Sequence, residues 1–286
     1  MLGFLRGRAD NRRARGPEVF IGAPDLQGLD RKEHRPAPRR IEGAAVAKRW
    51  RRGMMPDDRR RRGMPQALII GAGDGLSASL ARLLAREGYA VALAARNTAK
   101  LAALAAETGA STHACDAADA GQVAALFRAA GEEAEVVVYN PSYRTRGPIA
   151  ELDPAEVQKS LQVCAFGAFL AVREAARRME PRGRGTILLT GASAGVKGYP
   201  QSASFAMGKF ALRGLAQSAA RELHPKGVHV AHVVIDGGIR SARRPETGED
   251  TMLDPDAIAA TYWHLIGQPR SAWSWEIEVR PWVERF

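Results

Sequence analysis

The 286-residue chain is poor in cysteine. Its two, Cys115 and Cys164, match no metal-ligand spacing and no disulfide framework, so no metal is expected and a reducing, cytoplasmic compartment is the default. It has no apolar run long enough to cross a bilayer, which excludes a helical membrane protein. Residues 2–5 are too short for the apolar core of a secretory leader. Acidic residues are scarce in one region only. Residues 1–63 hold 18 Lys and Arg against 8 Asp and Glu, while the remaining 223 residues carry 24 against 23. Of the net charge of +11, all but one unit therefore belongs to an N-terminal extension. That extension has scattered Pro and Gly, no sustained apolar period and a closing Arg59-Arg60-Arg61-Arg62. It reads as disordered, or as a start assigned too early, since Met64 stands just before the first apolar strand. Its eight acidic residues argue against a mitochondrial presequence. A basic arm for nucleic acid or acidic lipid is the weaker alternative, because no aromatic interleaving or binding motif accompanies it. The expected division is 1–63 as extension and 64–286 as one domain.

The stretch that is rich in pattern is 67–97, ALIIGAGDGLSASLARLLAREGYAVALAARN. Leu68, Ile69 and Ile70 form a short apolar run ending at glycine, as a buried parallel strand does. Gly71, Gly73 and Gly75 follow, then Leu76, Leu80, Leu83 and Leu84 at helical spacing. Gly88 stops the helix and residues 91–95 form a second apolar strand. A strand, a glycine turn, a helix and a strand make a βαβ unit of the kind that seats a pyrophosphate at a helix N-terminus. The fingerprint is imperfect. G-x-G-x-x-G would need glycine at Leu76, and G-x-x-x-G-x-G has Ser77 at its third place. A tight turn without a ligand is the bland alternative.

The alternation continues. Helices are expected over 100–106, 117–130, 154–178, 203–223 and 256–266, and strands over 110–115, 135–139, 186–190, 228–235 and 275–279. Strands alternating with helices imply an α/β fold, a doubly wound parallel sheet of Rossmann type in a single domain. Its ligands bind beyond the C-terminal strand ends.

With these elements in place the chain resembles the short-chain dehydrogenases/reductases over residues 66–286. The resemblance rests on the glycine turn at 71–77, on Cys115-Asp116 after the third strand, on Tyr139-Asn140-Pro141-Ser142 where the family has N-N-A-G, and on Asp236-Gly237-Gly238-Ile239 where it has P-G and an aliphatic residue. It implies that Gly71, Gly73, Gly75 and Leu76 cradle the pyrophosphate of a dinucleotide, that Asp116 meets the adenine amino group, that Asn140 shapes the cofactor floor, and that the Ile239 backbone meets the nicotinamide amide. It also implies a small-molecule substrate and a homodimer or homotetramer built on the two long helices, where small residues (Ala165, Gly167, Ala168, Ala171; Ala206, Gly208, Ala211) permit close approach.

The catalytic positions depart from the family. The Y-x-x-x-K motif falls on Phe205-Ala-Met-Gly-Lys209. Lys209 is retained, with its implied hold on the nicotinamide ribose, but a phenyl ring has no proton to give. The serine position falls on Ala192, with Ser193 adjacent, and the helix asparagine falls on Cys164. Proton transfer must come from another donor, from water, or not occur. Tyr143, Tyr199 and Tyr262 are donors by type, and His264 could face the cleft, whereas His113, His229 and His232 lie in strands and read as structural.

The cofactor choice is read at the second strand. A site for NAD wants an acidic residue about 20 positions past the first glycine. Ala94-Ala95-Arg96 offers no carboxylate there, and the Arg96 guanidinium suits a 2′-phosphate. NADP is therefore expected over NAD, although Asp74 stands in the turn where NADP-binding relatives often carry a base. Two functions follow: an NAD(P)-dependent oxidoreductase acting on a small carbonyl or alcohol with a non-standard proton donor, or a catalytically inactive NAD(P)-binding sensor or scaffold.

Overall fold

The computed structural model describes residues 64–241 and 244–284. The extension 1–63, and the division of the chain drawn at it, lie outside the described residues. Seven strands form one sheet in the order β3-β2-β1-β4-β5-β6-β7. They are β1 Gln66–Ile70, β2 Ala90–Ala95, β3 Ser111–Ala114, β4 Ala134–Tyr139, β5 Gly185–Thr190, β6 Val228–Ile235 and β7 Glu276–Val279. Every neighbouring pair is parallel. The helices are α1 Leu76–Arg86, α2 Ala102–Thr108, α3 Ala120–Ala130, α4 Pro154–Leu161, α5 Gly167–Met179, α6 Ala203–Leu223 and α7 Pro255–Ile266.

The strands alternate side chains between two buried layers, as the period of two requires. Leu68 and Ile70 of β1 face one layer, with Phe127 of α3, Ala171 of α5 and Leu212 of α6. Ala67 and Ile69 face the other, with Leu80 and Leu84 of α1 and with Ile258, Tyr262 and Leu265 of α7. Covering both faces explains why the strands read as continuous apolar runs. The chain order reverses at β1 and β4, so the cleft of the fold opens beyond Ile70 and Tyr139.

Most boundaries shift by a residue or two, and three departures from the sequence reading have a clear local reason. The helix expected from 100 begins as a 3₁₀ turn, Thr98–Leu101, capped by the Asn97 side chain, and becomes α2 two residues late. The helix expected from 117 begins at Ala120, because Asp119 accepts the Gln122 N–H at 2.9 Å and sets the cap there. The long helix expected over 154–178 is interrupted by a π turn at Gln162–Phe166, between α4 and α5. There the Val163 carbonyl accepts the buried Tyr139 hydroxyl at 2.6 Å instead of serving only its own helix. Such turns recur at functional sites, and this one holds Cys164.

Gly167, Ala168 and Ala171 pack inside the chain. A Cβ on Gly167 would stand 2.3 Å from the Tyr139 hydroxyl and 2.4 Å from the Ala117 carbonyl, and one on Gly208 would stand 2.9 Å from Cys164 Cβ. These small residues let α4–α6 sit tightly against the sheet and one another. The large side chains left exposed on the same helices are Phe166, Phe169, Met207 and Phe210.

Candidate dinucleotide site and its altered catalytic edge

Gly71 has φ +81°, and a Cβ there would lie 2.6 Å from the Pro141 nitrogen. Glycine is required because two strand-end loops touch. Gly73 and Gly75 meet no atom within 4 Å of a Cβ position. Their missing side chains leave open volume in front of α1, whose N-cap, Gly75, has no side chain to cover the first N–H groups. Ser77 explains the imperfect fingerprint. It is buried, its hydroxyl donates to the Gly71 carbonyl at 3.2 Å, and it accepts the Asn140 amide at 2.7 Å. Serine at the third glycine position thus ties the turn to the β4 loop.

Two adjoining clefts run along this edge. The larger, about 720 Å³, is walled by Gly71 to Asp74, by Ala95, Arg96, Asn97 and Lys100, by Cys115, Asp116 and Ala117, and by Asn140 to Ser142. The second, about 420 Å³, runs from Gly71, Gly75, Leu76 and Ser77 to Ile239, Ser241 and Arg244. Volumes of this order hold small-molecule cofactors. Gly71, Gly73, Gly75, Leu76, Arg96, Asp116, Asn140 and Ile239 all line one or both. Asp116 is fixed by accepting the Ala118 N–H at 3.0 Å, and its own N–H donates to Gln122 Oε1 at 2.9 Å. Lys100 and Arg244 also line these walls. Lys100 stands four positions past Arg96, in the 3₁₀ turn that follows β2, a nearness that could have drawn attention to it. The open glycine cradle, the uncapped helix start and the cationic rim fit a dinucleotide phosphate.

Lys209 belongs to a different environment. It is 2% exposed and lines neither cleft. Its Nζ donates to the Thr190 carbonyl at 2.8 Å and lies 5.7 Å from the Phe205 ring centroid. Burial lowers its pKa. A buried ammonium with three donors and one oxygen partner retains capacity for another acceptor. The Arg144 guanidinium also lies over the Phe205 ring, 5.1 Å from its centroid. Ala192 stands in extended backbone, and Ser193 opens a 3₁₀ turn whose carbonyl accepts the Val196 and Lys197 N–H groups. Cys164 is fully buried and its thiol reaches the Tyr143 carbonyl at 3.5 Å. Lys209 therefore has Phe205 beside it on α6 and Cys164 near it from the π turn.

The other donors named from sequence have partners of their own. Tyr262 is buried and bonded to the Thr190 hydroxyl at 2.8 Å, with its pKa raised by burial. Tyr143 donates to Glu156, under the Lys159 ammonium at 4.4 Å. Tyr199 is exposed beside Lys197. His264 is exposed and contacts Gln268 at 3.4 Å, so it does not serve the cleft. His232 is structural as expected: Nδ1 lies 2.9 Å from Glu276, which Arg213 grips with two bonds at 2.6 and 2.7 Å. Asp236, in the family's proline position, is also structural. It is buried and joins Lys197 at 3.5 Å to Arg280 at 3.3 Å, linking the ends of β5, β6 and β7. Three groups spread from 197 to 280 in sequence made that link illegible.

Sheet order, switch point and glycine cradle define a doubly wound dinucleotide-binding protein. The chain belongs to the short-chain dehydrogenase family, whose model, described as short chain dehydrogenase, matches residues 65–251. A short-chain dehydrogenase structure from Rhodopseudomonas palustris is 37% identical, covers 76% of this chain and 99% of its own, and superposes with a TM-score of 0.68. A metagenomic short-chain oxidoreductase solved in complex with NADP is 30% identical over 76% of this chain and 97% of its own, with a TM-score of 0.67. The cyclic-di-GMP-binding biofilm dispersal mediator protein of Escherichia coli (strain K12) is 31% identical over 186 residues, 63% of this chain and 76% of its own. Among the described residues no helix is long and apolar enough to cross a membrane.

Proposed function

We propose that the protein is an NADP-dependent oxidoreductase of a small carbonyl or alcohol, working with a non-standard proton donor. One observation carries the reading: the cationic rim of Arg96 and Lys100 closes the end of the cleft where no carboxylate follows β2. Gly71, Gly73, Gly75, Leu76 and Asn140 hold the pyrophosphate side, Asp116 the adenine, and Ile239 the amide of the nicotinamide. The bound nicotinamide supplies the hydride. Lys209 presents its charge from beneath the reacting edge, and Phe205 excludes water on the face where a tyrosine would donate. Ser193 is the proposed hydroxyl nearest the lost serine. Titrating the protein with NADPH and NADH, then screening the complex against a carbonyl panel, tests this directly. Tighter NADPH binding with turnover on at least one carbonyl is expected, and failure to bind either nucleotide ends the proposal.

The phenyl ring of Phe205 favours a second reading, a cofactor binder without dehydrogenase activity that serves as a sensor or scaffold. The relative named for binding a cyclic dinucleotide is consistent with that. Saturable NADPH binding with no turnover across the panel would select it.

In either case the exposed Phe166, Phe169, Met207 and Phe210 support self-association through α5 and α6. Light scattering at micromolar concentration should give a dimer or tetramer, and a monomer there excludes it. Cytoplasmic location is proposed from the paucity of cysteine.

A further inference from the structure

Many guanidinium groups of the domain are neutralised by a carboxylate, as in Arg82 with Glu107, Arg178 with Glu174, Arg213 with Glu276, and Arg240 with Glu246 and Asp254. Arg144, Arg146 and Arg244 are among the described arginines that meet none, and they differ from the others in lying close enough for Arg144 to feel the charges of the other two. All three belong to loops at the C-terminal edge of the sheet, and Arg144 lies over Phe205.

The β4 loop is irregular but firmly held. Ser160 and Ser204, both fully buried, pull it inward: Ser160 donates to the Tyr143 carbonyl at 3.0 Å, and Ser204 donates to the Thr145 carbonyl at 2.9 Å. The Gly147 N–H donates to the Gln201 carbonyl at 3.2 Å. Residues 141–147 alternate half-buried and exposed, the two-residue period of extended chain. Holding Tyr143, Thr145 and Gly147 inward turns Arg144 and Arg146 outward on the same face. Arg144 spans the Phe205 ring at 5.1 Å and reaches the Ser202 hydroxyl at 3.5 Å. Arg244 approaches from the opposite loop. Its backbone pairs with Ser241, and its Nη1 would lie 3.4 Å from a Cβ on Gly238, beside the cleft residue Ile239.

We propose that Arg144, Arg146 and Arg244 form an anion site over Phe205, so that the substrate carries a carboxylate or phosphate group near its reacting carbonyl. This rests on the oxidoreductase reading above. The electrostatics agree. Partial burial lowers the Arg144 pKa, and the charges of Arg146 and Arg244 lower it further, a mutual repulsion that a bound anion relieves. Guanidinium groups held in a fork geometry select carboxylate and phosphate oxygens. Arg244 also lines the smaller cleft proposed for the cofactor, so the test is made with that site filled and its variants are placed at Arg144 and Arg146.

The NADPH-saturated protein is titrated calorimetrically with malonate, methyl phosphate and the uncharged malonamide. Saturable binding of malonate or methyl phosphate is expected, with malonamide silent, and the stronger of the two names the substrate's anion. Arg144→Gln and Arg146→Gln should each weaken that binding about tenfold or more, with melting temperature unchanged. Arg221→Gln, an exposed arginine of α6, should not weaken it. Equal binding of malonamide, absence of anion binding, or equal loss in Arg221→Gln overturns the site. A loss of NADPH affinity in Arg144→Gln also overturns it, since the arginine would then serve the cofactor. Anion binding without turnover of any oxo acid or oxo phosphate upholds the site and removes the dehydrogenase reading.

Discussion

The two halves of the sheet's C-terminal edge are built in opposite ways. Beyond β1, β2 and β4 the backbone is bare, the glycines leave space, and polar side chains rim the opening. Beyond β5, on α6 and at the π turn that faces it stand a phenyl ring, an alanine and a buried thiol, with a buried ammonium beside the ring. On the proposed function, the first half would bind its ligand mostly through backbone N–H groups, which is why a change such as Ser77 can be accommodated there. The second half would depend on particular hydroxyls, which the phenyl ring and the alanine do not supply. Under that proposal cofactor binding and proton transfer are separable, and each half can be altered alone.

The largest effect is expected from restoring the chemistry. General acid catalysis contributes roughly 10²–10⁴-fold. Ala192→Ser with Phe205→Tyr should raise kcat on an accepted carbonyl toward that range, with Phe205→Tyr alone giving part of it. The new phenol would sit near Lys209, whose charge lowers its pKa. Steady-state rates decide between the readings. A wild type already fast and not improved by the double change has another donor.

The converse change, Gly71→Ala, attacks the binding half. The added methyl would strike Pro141 at a positive φ, a cost of about 1–3 kcal/mol by overpacking, and it would displace the turn. NADPH affinity should collapse while the fold survives with a lower melting temperature. Unchanged affinity would mean that the glycine turn does not seat the nucleotide.

Arg96→Ala should cost about 1–3 kcal/mol of NADPH affinity, the scale of a hydrogen bond to a charged group, and leave NADH nearly unaffected. Comparable losses for both would show that Arg96 does not read the 2′-phosphate.

The smallest effect is on stability against pH. His229 and His232 are buried, and desolvation lowers their pKa values below the ordinary 6.5. A depressed histidine pKa favours folding above the unfolded value and loses that advantage as pH falls through the folded one. The melting temperature should therefore begin to drop below about pH 6.5. Glu276, whose carboxylate Arg213 and His232 hold below its usual pKa against the opposing effect of burial, adds a further loss near and below about pH 4.3. His232→Gln should flatten the upper part of that curve. A melting temperature flat from pH 7 to 5 would contradict it.

Much of this was determined by the sequence alone, because it was local. Apolar runs of strand length, glycines at a turn and leucines at helical spacing each report on neighbours a few residues away, and together they dictated the doubly wound sheet and the places of Gly71, Arg96, Asp116 and Asn140. The proposal that Phe205 and Ala192 stand where the family carries hydroxyls was likewise made from the sequence alone, from the spacing to Lys209 and the position after β5. Tertiary structure decided what depends on distant chain segments meeting. It closed Lys209 onto Thr190, drew Val163 out of its helix toward Tyr139, joined Asp236 to Lys197 and Arg280, and turned Arg144 across Phe205. Each is a contact between residues more than fifteen positions apart, and no periodicity within one segment encodes which side chain another segment will bring to it.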